Sequence, residues 1–235
     1  MIIGPNPNRP EGFQFDVHGI CCVSAPIKDG GPILELQSQV DTPLYYRAAN
    51  GHITYFGAAF MLDTKETASS DDYIYVYGLQ TGDQSKLVVA RVKTKQFVDF
   101  CKWEFWNGSS WTSEKETVLP IADEISSELS VSVITDGFLA GKYVTVFQEW
   151  GGGNRLSIYI SDSPEGPLTD PIRLYYCSES EEGNGIYTYN AKGHPHLSKP
   201  GELLVSYNVN TTSWDMHKKD ASIYRPRFVV IKQFE

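Results

Sequence analysis

The chain is 235 residues long, 41% hydrophobic and 21% charged, with a net charge of −9. This is globular composition, neither disordered nor fibrous, with enough chain for one all-β domain and a sizeable core. The acidic balance disfavours nucleic acid and anionic membrane surfaces as partners, and the longest apolar runs have only a strand's length, too short for a membrane-spanning helix.

The first residues, Met1-Ile2-Ile3-Gly4-Pro5, carry neither a charged n-region nor an apolar h-region, so no secretion signal is expected in this sequence. Asn107-Gly108-Ser109 and Asn210-Thr211-Thr212 fit the glycosylation pattern and lean toward an extracellular protein. Residues 12–40 predict short strands at 13–17, 20–23 and 33–36. A strand at 55–61 follows, then a hairpin of 73–78 and 87–92 across the polar turn 80–86, then a short strand at 102–106. The same order recurs as 129–134, 143–148, 156–161 and 172–176, with Gly151-Gly152-Gly153-Asn154 in the hairpin turn. It recurs once more as 185–190, 203–208 and 228–233. Turn signals precede each hairpin: Ser70-Asp71-Asp72, Ala140-Gly141-Lys142 and Lys199-Pro200-Gly201-Glu202. No stretch of ten residues shows a helical period.

Four antiparallel strands per unit, repeated at a long period, predict the blades of an all-β β-propeller. The small residues of Phe56-Gly57-Ala58-Ala59 suit an innermost strand, where blades crowd the axis. Roughly three and a half blades are counted, against the roughly four to eight that close a ring. The expectation is therefore a single propeller domain over 1–235 that is incomplete on its N-terminal side. A two-sheet β-sandwich is the runner-up. Tyr, Phe and Trp (14, 11 and 5 residues) supply pleated, half-buried surfaces, and core packing is their commonest use. Cys21, Cys22, Cys101 and Cys177 match no zinc spacing and are read as small core residues, with one disulfide open to an exported chain.

Several strings occur in fixed order: Phe56-Gly57-Ala58-Ala59, Asp72-Tyr73-Ile74-Tyr75-Val76-Tyr77-Gly78, Val88-Val89-Ala90-Arg91, and Trp103-Glu104-Phe105-Trp106-Asn107-Gly108 with Trp111. Glu128-Leu129-Ser130, Ser161-Asp162-Ser163-Pro164-Glu165-Gly166-Pro167 and Val205-Ser206-Tyr207-Asn208 follow them. Over about residues 40 to 235 the chain resembles a family of five-bladed propellers described as domains of unknown function. Some of its members are reported as endo-acting arabinan hydrolases. The architecture is similar to that of arabinanase, β-xylosidase and levansucrase-like glycosidases. The resemblance implies a carbohydrate, of arabinan type, as partner or substrate at the central funnel. The early Gly-Asp motif of the family's first blade has no counterpart here.

Glycoside hydrolysis needs two carboxylates, one to protonate the leaving oxygen and one to activate water or attack the sugar. Glu128 opens the strand at 129–134, where a propeller funnel begins, and is the candidate general acid; a solvated turn glutamate beside Asp123 and Glu124 is the plainer alternative. Asp16, inside an apolar strand, is the candidate partner, with Asp72 as a turn residue in reserve. Asn190, His194 and His196 form the richest polar cluster. His-x-His can set two imidazoles on one face of a strand, but no third ligand is evident, so hydrogen bonding is favoured over a metal. Arg225 and Arg227 suit either a sugar clamp or an ion pair. Arg91 suits a buried ion pair. Gln148, Trp150, Asn208 and Asn210 end strands and suit a sugar-binding cleft, the ring stacking and the amides bonding hydroxyls. No Gly-x-Ser-x-Gly, phosphate loop or His-Glu-x-x-His occurs, and no cofactor is expected. The alternative function is a non-catalytic propeller that binds carbohydrate or protein. The oligomeric state is left open.

Overall fold

The computed structural model describes residues 1–8, 15–62, 73–151 and 153–232. In chain order the strands are β1 (Ile2–Pro5), β2 (Phe15–Gly19), β3 (Cys21–Ser24), β4 (Ile27–Lys28), β5 (Gly31–Pro32), β6 (Ser38–Asp41) and β7 (Tyr45–Arg47). They continue with β8 (Ile53–Leu62), β9 (Tyr73–Gln80), β10 (Lys86–Lys93), β11 (Glu104–Trp106), β12 (Trp111–Thr112), β13 (Leu129–Val133), β14 (Tyr143–Gln148), β15 (Arg155–Ser161) and β16 (Ile172–Tyr176). The last are β17 (Ile186–Gly193), β18 (Glu202–Thr211) and β19 (Pro226–Lys232), with one short helix, α1 (Trp214–Lys219), between β18 and β19.

Three antiparallel sheets carry the molecule, in the orders β12-β11-β10-β9-β8-β7, β13-β14-β15-β16 and β17-β18-β19. Each is a meander whose first long strand, β8, β13 or β17, touches its counterpart in the next sheet. The sheets pack side by side around these three strands, as propeller blades do. One core lies between the first two sheets and includes Met61, Tyr77, Leu87, Leu129 and Phe147. A second lies between the second and third sheets and includes Val146, Leu156, Ile158, Val205 and Tyr207. A third covers the far side of the first sheet, where Phe56 and Phe105 pack 5.2 Å apart beside Trp103. Strands β10 and β14, covered on both faces, read as continuous apolar runs, whereas β18 alternates buried and half-buried residues because one of its faces is open.

The innermost strands β8 and β17 share a device. Each carries a bulge, between Phe56 and Ala59 and between Tyr189 and Lys192. In each, the residue after the paired aromatic has a left-handed backbone, Gly57 at φ 106° and Asn190 at φ 60°. Glycine and asparagine are the residues that adopt this region most readily. Opposite the first bulge, a Cβ on Gly78 would sit 2.1 Å from the Tyr55 carbonyl oxygen. Gly78→Ala is expected to lower stability by about 1–3 kcal/mol, through forced separation of β8 and β9. A urea midpoint within error of wild type would show that the two strands part without cost.

The N-terminal segment departs from expectation. Residues 2–5 and 15–41 form two-stranded ribbons, β1 with β2, β3 with β6 and β4 with β5, rather than consecutive strands of one blade. Residues 34–36, predicted as strand, form a 3₁₀ turn instead. Pro32 precedes the turn, and Leu34 and Leu36 are exposed, so no sheet face is available to reward an extended conformation there. The cysteines also differ from expectation. Only Cys177 is buried, Cys21 and Cys22 are partly exposed, Cys101 is exposed, and all four are free thiols. The thiol of Cys177 is pushed up to about 12 by burial, as an inert core residue would be.

Candidate functional site

Glu128 immediately precedes β13, one of the strands that line the axis. Ser126 fixes this approach, because its hydroxyl donates to the Glu128 carbonyl. The neighbouring innermost strand meets Glu128 through its bulge. The extra residue re-aims Lys192, whose ammonium donates to the Leu129 carbonyl at 2.6 Å. The next residue, Gly193, donates its backbone N–H to the Ser130 hydroxyl at 2.7 Å. A Cβ on Gly193 would lie 2.9 Å from Val146, so glycine is what allows β17 this close to the second sheet.

Burial pushes the Glu128 carboxyl up from its ordinary value, and the Lys192 charge pulls it part of the way back. Burial likewise holds the Lys192 ammonium below its ordinary value, partly offset by Glu128. The pair is a carboxyl inclined to keep its proton and an amine inclined to lose one. Above them, Tyr187 and Tyr189 project from the same face of β17, their rings 5.6 Å apart. Both phenols feel Glu128. The Tyr189 phenol is raised to about 12, first by burial and then by its hydrogen bond to Tyr224. Their cross-strand partners are amides: Tyr187 lies opposite Asn210 and Tyr189 opposite Asn208, and Asn210 also bonds the Tyr187 hydroxyl. Rings that bury one face, side by side with amide donors and acceptors, are a surface suited to a sugar ring and its hydroxyls.

The remaining predicted residues fall in different places. Asp16 lies on β2 and accepts from the Asn6 side-chain amide. It lines a cleft of about 450 Å³ with Arg47 at the end of β7, Ile53 and Tyr55 at the start of β8, and Thr81 just after β9. Glu128 at the start of β13 and Asp16 beside the start of β8 therefore belong to the same end of the innermost strands. Glu128 belongs to the β13/β17 cluster and does not line the Asp16 cleft. Asp72 lies outside the described residues.

His194 and His196 do not share a strand face. His194 follows β17 and sits 2.7 Å from the Ser206 hydroxyl, while His196 is in the 3₁₀ turn beyond it. Their rings meet edge to face at 6.1 Å. Burial, with the charges of His196 and Lys192, lowers the His194 pKa. His196 lines a cleft of about 410 Å³ with Phe60, Leu62, Val131 and Val133, the ends of β8 and β13 away from Glu128. Among the described residues no cluster of three metal-ligating side chains forms. Asn190 serves the bulge through its backbone.

Gln148 is fully buried and bonds Thr188 and the Gly153 carbonyl, so it stitches sheets rather than lines a cleft. Trp150 is 59% exposed with a left-handed backbone at φ 61°. It follows Glu149, a buried carboxylate held by Arg173 at 2.9 Å and by the Ser157 hydroxyl at 2.7 Å. Arg225 is exposed in the approach to β19, whereas Arg227 takes the ion-pair role with Glu179 at 3.5 Å. Arg91 pairs with Glu104 at 2.8 Å and lies over the rings of Tyr73 and Trp111.

Tyr187, Tyr189, Lys192 and Tyr224 escaped the sequence reading. The spacing Tyr187-x-Tyr189 facing Asn208-x-Asn210 across a hairpin was a usable signal, since residues two apart share a strand face. Lys192 carried none, because the bulge alone brings it to Glu128.

A solved structure described as that of "a putative hydrolase from Bacteroides ovatus ATCC 8483" matches at TM-score 0.55 and 22% identity, covering 74% of this chain and 43% of that one. This similarity establishes a shared fold. An α-L-arabinofuranosidase from Clostridium thermocellum ATCC 27405 aligns over 74% of this chain and 55% of its own, at 11% identity and TM-score 0.36, a level that carries no fold argument. The chain thus spans about half the length of these solved structures. No curated protein sequence matches. The family model described as a domain of unknown function, DUF5005, matches residues 11–234, and the chain belongs to that family.

Proposed function

We propose that this chain is a glycoside hydrolase-like propeller that binds a polysaccharide of arabinan type at the Glu128 end of its innermost strands. The observation that carries the reading is the raised carboxyl of Glu128 beneath the Tyr187/Tyr189 face. A carboxyl that holds its proton to higher pH than an ordinary glutamate is better suited to protonate a glycosidic oxygen. In this reading the sugar ring lies on Tyr187 and Tyr189, Asn208 and Asn210 bond its hydroxyls, and Glu128 gives its proton to the leaving oxygen. Asp16, at the same end, is the candidate for the second carboxylate, which activates water or attacks the anomeric carbon.

The test is release of reducing ends from arabinan-type polysaccharide. Release by the wild-type chain that Glu128→Gln abolishes supports hydrolysis. Binding without release favours the non-catalytic alternative, for which the closeness of Lys192 to Glu128 is the supporting observation. Failure to bind any polysaccharide of this type removes the hydrolase and the carbohydrate-binding readings and leaves protein binding as the alternative.

Lys192→Met sharpens the assignment. Lys192 lowers the Glu128 pKa, so its loss should raise it. A general acid works only while protonated, so the alkaline limb of the pH–rate profile should move to higher pH. An unmoved or acid-shifted limb assigns that limb to another group.

A further inference from the structure

The aromatic surface does not end at Tyr189. The phenol of Tyr224 bonds that of Tyr189, and the Tyr224 ring stands edge-on to His217 at 6.0 Å. His217 in turn stands edge-on to Trp214 at 6.0 Å. Both residues sit on α1, which β18 carries directly after Asn210 and Thr211. The helix is held in place: the Ser213 hydroxyl caps it by accepting from the Met216 N–H, and His217 Nε2 lies 3.2 Å from the Thr211 carbonyl. Trp214 is nevertheless 73% exposed and Tyr224 64% exposed. Five rings, Tyr187, Tyr189, Tyr224, His217 and Trp214, are thus linked in one row from β17 to the exposed surface.

A core role would bury the outermost rings, and the short polar loop that surrounds them has no need of a tryptophan. Large exposed aromatics in a continuous row, beginning beside polar amides and a perturbed carboxyl, are a marker of a binding surface. We infer that Trp214 and Tyr224 form an outer subsite that holds an extended oligosaccharide chain, several sugar units beyond the ring placed on Tyr187 and Tyr189. The ligand class is accordingly an oligosaccharide of several units rather than a single sugar. This rests on the carbohydrate reading of the Glu128 site and adds to it the length of chain that the site recognises.

The experiment is calorimetric titration of the chain with linear arabino-oligosaccharides from the disaccharide to the octasaccharide. Wild type is expected to gain affinity with length. Trp214→Ala should cost about tenfold in affinity for the octasaccharide and leave the disaccharide unchanged. Trp214→Phe should restore most of the loss. Trp214 is exposed, so the alanine variant should melt with the wild type, and equal melting certifies its fold. An equal loss for short and long ligands, or none for either, overturns the outer subsite while leaving the inner site standing. If wild type binds no oligosaccharide of any length, the carbohydrate reading itself falls, and the subsite with it.

Discussion

Glu128→Gln is expected to lower the rate of polysaccharide cleavage by about 10²–10⁴-fold, the range that a positioned general acid supplies. Glutamine keeps the shape and a hydrogen-bonding oxygen but has no proton to give, so affinity for the oligosaccharide should stay within about threefold of wild type, a change worth under about 1 kcal/mol. The same substitution has a second, opposite effect. The folded state raises the Glu128 pKa, mainly by burial. The stability linked to this carboxyl is therefore fully present below its unfolded pKa and is lost as pH rises through the folded value. At neutral pH the ionised carboxylate disfavours the fold, and glutamine removes that cost. The variant should melt above wild type at pH 7, with the difference closing toward pH 4. A variant that is less active and also less stable at neutral pH would mean that Glu128 is structural and that Lys192 stabilises it more than burial opposes it.

Phe147→Ala should produce the largest loss of stability, about 3–5 kcal/mol. Phe147 is fully buried on β14, and its ring stacks on Tyr159 with centroids 4.7 Å apart and planes 12° from parallel. It belongs to the core between the first and second sheets, with Met61, Tyr77 and Leu87 of one and Leu129 and Val131 of the other. The neighbouring strands are pinned by ladder hydrogen bonds and cannot collapse into the space, so the lost packing is not recovered. The urea midpoint should fall with an unchanged slope, and amide exchange should quicken in β8 and β13 together. Faster exchange confined to the second sheet would show that the sheets unfold independently and that the core between them contributes little.

These two substitutions probe features with different origins. Phe147 sits in an apolar run of β14, and its burial follows from the strand pattern around it. Glu128 was legible as a carboxylate at the head of an innermost strand, because the repeat of turn, strand and hairpin sets the register of each sheet. Its perturbation was not legible. It comes from burial and is opposed by Lys192, 64 positions away in the chain, which reaches Leu129 only because an extra residue at the bulge turns it inward.

The same division runs through the molecule. Alternating and continuous apolar runs, separated by Gly, Asn and Asp turns, determined by themselves that the chain is all-β, where its main strands lie and that the sheets repeat. Side-chain period and turn chemistry are local properties, and they act before any tertiary contact forms. Only the tertiary structure decided that residues 34–36 turn instead of extending, that Gln148 is a buried stitch while Trp150 is exposed, and that His196 lines the cleft at the ends of β8 and β13 away from Glu128. It also decided that Tyr187, Tyr189, Tyr224 and Trp214 form one surface. Each of these depends on which strand faces which across a sheet or between sheets. That is settled by long-range packing, which no local stretch of sequence contains.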